Sequence, residues 1–187
     1  LRAAALALGL LVVGCGGGGP TGSTTTTATG PAGDQPAKLP HGWKAVVNDP
    51  SGFSVGVPPG WTWRLQGSTS LLAAPRNLVA ISIAGDRTEE ARTTDLTALA
   101  AGTVSNLHAF DGLAVGEPQR FRGRYPAVIV TTSGSGHGSE RLRLIVMRPP
   151  AVGVFTLLGA TKLKSPRTAK LIDRIARTVR FRPVAVG

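Results

Sequence analysis

Apolar residues along this chain recur first at every second position, then at every third or fourth, then at every second, and at its end again at every third or fourth. Residues 43–48 read as a short strand, stopped by Asp49-Pro50-Ser51-Gly52. Phe53-Ser54-Val55-Gly56-Val57 alternates apolar with small or polar residues and predicts a half-buried strand, which Pro58-Pro59-Gly60 breaks. Residues 61–65 alternate again, and 70–74 and 78–83 predict two more strands around a turn at Pro75-Arg76-Asn77. The period then lengthens. Asp86 and Glu89, three residues apart, can open a helix with Asp86 as its N-cap. Leu96, Leu99, Ala100, Thr103, Val104 and Leu107 share one face of it.

Strands return at 113–115, 119–121, 125–132, 142–148 and 152–159, with the Gly/Ser run 133–139 as a hairpin connection and Pro149-Pro150 between the last two. Ser165-Pro166 then opens a helix with proline in its first turn. Leu171, Ile172, Ile175 and Val179 form its apolar stripe, and Phe181 and Pro183 end it. The order predicts an α+β fold, an antiparallel sheet of about six to eight strands with helices packed on it.

The chain ahead of these elements has a different character. Arg2, an apolar run over residues 3–13 and Gly14 lead to Cys15, the only cysteine of 187 residues. A cationic start, a short apolar core and a small residue describe a secretory signal segment. About 11 apolar residues fall short of the ~20 that cross a bilayer. Residues 16–40 hold Gly16 to Gly19, four consecutive threonines and four prolines, with almost nothing large and apolar to bury, which predicts a tether. The expected organisation is a signal peptide at 1–14, a cysteine and linker at 15–40, and a monomeric domain at 41–187. A single cysteine leaves no disulfide framework and no thiolate metal site.

Charge is divided unevenly. Up to Glu117 the chain carries seven basic and eight acidic residues; from Pro118 it carries fourteen basic and two acidic, within a net +11. Export argues against nucleic acid as the counter-charge, and favours anionic lipid, acidic envelope polymer or an acidic partner. On the last helix Arg167, Lys170, Arg174 and Arg177 stand at spacings of three and four, on an arc away from the apolar stripe. They are the candidate contacts for an anion or partner, preceded by Lys162 and Lys164.

Two resemblances sharpen these expectations. Residues 11–15, Leu-Val-Val-Gly-Cys, resemble a bacterial lipobox. That implies cleavage between Gly14 and Cys15, fatty acylation of Cys15, and anchoring on the extracytoplasmic face of the cell membrane. The stretch from Asp49 to Trp61, with Gly52-Phe53-Ser54 and Pro58-Pro59-Gly60-Trp61, resembles the opening of PsbP-like and Mog-like domains. The Ile172, Ile175, Ala176, Val179, Phe181 pattern resembles their closing helix and aromatic tail. With the lipobox, the whole is similar to LpqN-type lipoproteins of actinobacteria. The resemblance implies an accessory or binding module and carries no catalytic residues over.

Motifs for chemistry are sparse. The three histidines, His41, His108 and His137, form no metal-ligand spacing, and no metal or cofactor is expected. Gly52-Phe53-Ser54-Val55-Gly56 matches G-x-S-x-G in letters, but a nucleophile elbow needs a helix directly after the serine, where this chain has Val57-Pro58-Pro59. The leading expectation is a lipid-anchored, non-enzymatic envelope module that binds a protein, lipid or glycan in a groove between sheet and helix. Two alternatives are an envelope hydrolase acting on a lipid or polymer ester, and a surface protein that binds anionic polymer or headgroups by charge.

Overall fold

The computed structural model describes residues 37–107, 110, 112–133, 141–150, 153–161 and 165–181. The apolar run, Cys15, the linker up to residue 36, His108, His137, Lys162, Lys164 and Pro183 lie outside the described residues.

Among these residues eleven strands and three α-helices follow in chain order: β1 Lys44–Asn48, β2 Phe53–Val57, β3 Thr62–Gln66, β4 Thr69–Ala73, β5 Val79–Asp86, α1 Glu89–Thr93, α2 Leu96–Asn106, β6 Ala114–Val115, β7 Gln119–Arg120, β8 Ala127–Ser133, β9 Arg141–Met147, β10 Val154–Thr161, α3 Pro166–Thr178 and β11 Arg180–Phe181. An eight-stranded sheet runs in the order β3-β4-β5-β10-β9-β8-β6, with β7 also paired to β8, and a small sheet runs β1-β2-β11. Every pairing is antiparallel.

The apolar runs of β9 and β10 decide the layering. Their side chains alternate between faces, and both faces are apolar, so each face needs a cover. Ile145, Met147, Phe155 and Leu157 join Ile81, Ile83, Ile172, Ile175 and the small sheet's Phe53 and Val55 in one core. Leu142, Leu144, Val146 and Leu158 join Ala91, Ala100 and Val130 in a second core on the other face. α3 packs against β2, β9 and β10, while α2 packs against β8 and β9.

α3 forms where the sequence places it. The Ser165 hydroxyl accepts from Arg167 N–H at 3.3 Å, and Pro166 occupies the first turn. Ile172 and Ile175 are fully buried, Val179 nearly so, and Leu171 is half-buried. Close approach to β10 requires Gly159: a Cβ there would meet Ile172 Cγ2 at 2.8 Å.

Two expectations are corrected. The single helix from Asp86 is two helices. Thr88 caps α1, its hydroxyl accepting from Ala91 N–H at 3.2 Å, while Asp86 accepts from Thr88 N–H two residues too early to be the cap. Asp95 then caps α2 by accepting from Thr97 and Ala98 N–H at 2.8 and 3.1 Å. These bonds, Ala98's first, hold its carboxyl below the usual 3.8. The predicted face of α2 does turn inward, with Ala100 buried and Leu96, Leu99, Val104 and Leu107 packed around it. Second, Phe181 does more than end α3. With Arg180 it forms β11, paired to β2 through Arg180–Ser54 and Phe181–Phe53. The Phe181 ring packs 4.1 Å from that of Phe155 and 5.1 Å from that of Tyr125, centre to centre.

Candidate functional site

The space between α3 and the large sheet is filled. A cavity of about 10 Å³ remains among Phe121, Tyr125, Met147 and Val179, room for no more than one water. An open cleft lies outside the helix. It measures about 480 Å³ and is bounded by residues 37–40 on one side and by Arg174, Arg177, Thr178 and Arg180 on the other.

The seam beneath the cleft explains its position. Trp43 N–H donates to Pro40 O at 3.1 Å, turning the entering chain, and Gly42 takes φ 78° at that turn. Leu39 and Trp43 then settle onto β2 at Gly56, where a Cβ would fall 2.7 Å from Leu39 Cδ2 and 3.1 Å from the Trp43 ring. Thr178 completes the seam. Its hydroxyl donates to Ile175 O at 2.6 Å and accepts from Gly56 N–H at 2.9 Å, tying the end of α3 to β2.

Four basic residues line this cleft: Lys38, Arg174, Arg177 and Arg180. Two of the four helix residues singled out from sequence, Arg174 and Arg177, line the cleft. Arg167 and Lys170 are exposed on the first half of α3 and do not line it. Lys38 and Arg180 were not legible as partners, because one sits in a proline-rich approach and the other in a tail that periodicity reads only as a helix end.

Arg177 is held in place. Its Nε donates to Arg122 O at 3.1 Å, and its guanidinium carbon lies 5.3 Å from the centre of the Phe121 ring. Arg180 donates through Nη1 to Arg177 O and Val179 O, both at 2.8 Å, covering carbonyls at the negative end of the helix. Among the described residues no acidic side chain lines the cleft. The one acid of α3, Asp173, is engaged elsewhere in a two-pronged ion pair: Arg143 Nε to Oδ1 at 3.0 Å and Nη2 to Oδ2 at 2.9 Å.

Other polar clusters are structural. Asn48, buried, donates to Ser68 O at 2.9 Å and to Ser70 Oγ at 3.0 Å, and accepts from Ser51 N–H at 3.0 Å. Ser51 Oγ donates to Ser68 O at 2.6 Å and Arg87 donates to Ser51 O, so the cluster staples the turn after β1 to the β3–β4 hairpin. Arg148 donates to Ala91 O and Thr94 O, closing the end of α1. Ser54 lies inside β2, paired to Val47 and Arg180, with no helix following it. Among the described residues no group of three His, Cys, Asp or Glu side chains is placed to hold a metal, and no helix is long and apolar enough to cross a membrane.

Comparison with solved structures defines the fold as PsbP-like. The chain superposes on the solution structure of cyanobacterial PsbP (CyanoP) from Synechocystis with a TM-score of 0.56 at 12% identity, covering 82% of this chain and 100% of that one. It superposes on a Bacteroides thetaiotaomicron protein with a TM-score of 0.51 at 14% identity, covering 73% of this chain and 48% of that one. A point mutant of the protein Mog1 gives a TM-score of 0.44 at 12% identity, over 73% of this chain and 87% of that one. No protein-family model and no curated protein sequence matches the chain.

Proposed function

We propose that this chain is a lipid-anchored, non-enzymatic lipoprotein of the LpqN type, acting at the extracytoplasmic face of the cell membrane as a binding or accessory module for an acidic partner. The observation that carries the reading is that Lys38, Arg174, Arg177 and Arg180 line one open cleft to which, among the described residues, no carboxylate contributes. Like charges gathered at one place raise the local potential and favour a negatively charged occupant. The signal-like segment ending at Cys15 supports the anchor, and the excess of basic residues after Pro118 supports an acidic partner. A protein, a lipid or a glycan qualifies if it presents negative charge.

The test is fractionation of expressing cells together with mass measurement of the mature chain. The expected result is a membrane-bound chain beginning at an acylated Cys15, and a Cys15→Ser variant found as unprocessed precursor or in the soluble fraction. An unmodified Cys15 in membrane-associated mature protein would sink the anchor.

A further inference from the structure

We propose that Lys38, Arg174, Arg177 and Arg180 form a site for a single phosphate group, and that this is the headgroup phosphate of an anionic lipid. The choice of lipid rests on the lipid-anchored reading above. The anion chemistry stands on the cleft alone.

The four cations differ in how they are held, and the difference suits a ligand. Arg177 is positioned by the Arg122 carbonyl and the Phe121 ring, so part of the site is organised before anything binds. Lys38 and Arg174, among the described residues, have neither a hydrogen-bond nor an ion-pair partner, so a phosphate offers them their counter-charge. The end of a helix ordinarily repels anions, because its last carbonyls face outward. Here Arg180 covers the Arg177 and Val179 carbonyls, and the Thr178 hydroxyl bonds back to Ile175 O, which removes that objection. The nearest acid along α3, Asp173, is tied to Arg143 at 2.9 Å. Guanidinium groups match phosphate oxygens in planar pairs, and the lysine adds a point charge.

The shape favours a headgroup over a bare ion. About 480 Å³ exceeds what one phosphate fills, and Leu39 and Pro40 supply an apolar wall beside the charges. That wall is also the segment that runs back in sequence to Cys15. A stretch of some two dozen residues spans at most ~80 Å when fully extended, so a lipid in the cleft and acyl chains on Cys15 can share one leaflet. Binding would then be intramolecular with respect to the membrane, and modest intrinsic affinity would suffice. Lipid in the cleft would lay the α3 end of the domain on the membrane surface.

The test uses the mature chain from residue 15 carrying Cys15→Ser, which lacks both the apolar run and the acylated cysteine, with vesicles of phosphatidylcholine alone or with phosphatidylglycerol. The expected result is binding only to the phosphatidylglycerol vesicles, weakened at least tenfold by Lys38→Gln/Arg174→Gln. Arg64→Gln/Arg92→Gln, which removes the same charge from β3 and α1, should change it less than about twofold. Arg167→Gln/Lys170→Gln, on the same helix outside the cleft, should cost less than the cleft pair. Equal losses for all three pairs would show charge spread over the surface and overturn the site. Absence of binding to phosphatidylglycerol vesicles, with inorganic phosphate still shifting the cleft residues' NMR signals, would overturn the lipid as source. Neither failure touches the anchor, which the mass of mature Cys15 reads independently.

Discussion

At the scale of single residues, one carboxylate decides where the second helix starts. Asp95 accepts two backbone N–H bonds and its pKa is lowered from 3.8, so the folded state favours the charged form. A depressed folded value means the contribution is present above the ordinary pKa and is lost as pH falls through the folded one. Asp95→Ala should therefore lower the melting temperature at pH 7, and the gap to the parent should narrow below pH ~3.8, read by thermal denaturation across pH. Asp173 acts differently. It fixes Arg143, with both side chains about four-fifths buried. Asp173→Ala leaves the guanidinium partly desolvated and should cost roughly 1–3 kcal/mol by chemical denaturation. A double-mutant cycle with Arg143→Ala should recover a favourable coupling energy.

At the scale of elements, α3 holds the molecule's α3 face together. It covers the central strands, and its far end bonds to β2 through Thr178. The fit depends on Gly159, because β10 must lie close under Ile172. Gly159→Ala should destabilise by about 1–3 kcal/mol through overpacking. Combining it with Ile172→Ala should cost less than the sum of the two, since the methyl then has space; equal additivity in denaturant titration would show that the helix simply moves away. The basic arc along the same helix divides in function by position. Its last turn meets the entering chain at the cleft, and its first half faces solvent.

At the scale of the whole molecule, the two covers of the large sheet are unequal. α3 buries five residues, among them Ile172, Ile175 and Ala176, while α1 and α2 bury only Ala91 and Ala100. Fewer buried apolar contacts mean easier local opening. Native-state hydrogen exchange should show α1 and α2 opening at lower free energy than α3, β9 and β10. Slower exchange in α2 than in α3 would contradict this ranking. The cleft is then carried by the more rigid side, which suits a surface that must hold several like charges in register.

The sequence by itself determined the kinds of elements and most of their limits. Alternation marked β2 at its true ends, and apolar content placed two strands within two residues of the ends of β9 and β10, while the burial of both their faces came only with the folded sheet. The apolar stripe of α3 and the exposure of Arg167, Lys170, Arg174 and Arg177 were equally readable, because a helix's inward and outward faces are written in its local spacing. Tertiary structure alone decided which strands became neighbours. Nothing local tells Arg180-Phe181 to pair with β2, over a hundred residues earlier, or divides the strands into an eight-stranded and a three-stranded sheet. It also decided the site. Periodicity could gather cations on one helix, but Lys38 lines the same cleft as Arg174 and Arg177 because Gly56 lets Leu39 and Trp43 pack down beside the end of α3. Spacing along the chain records which face of an element is buried. Long-range packing chooses what buries it, and thereby which distant charges share a cleft.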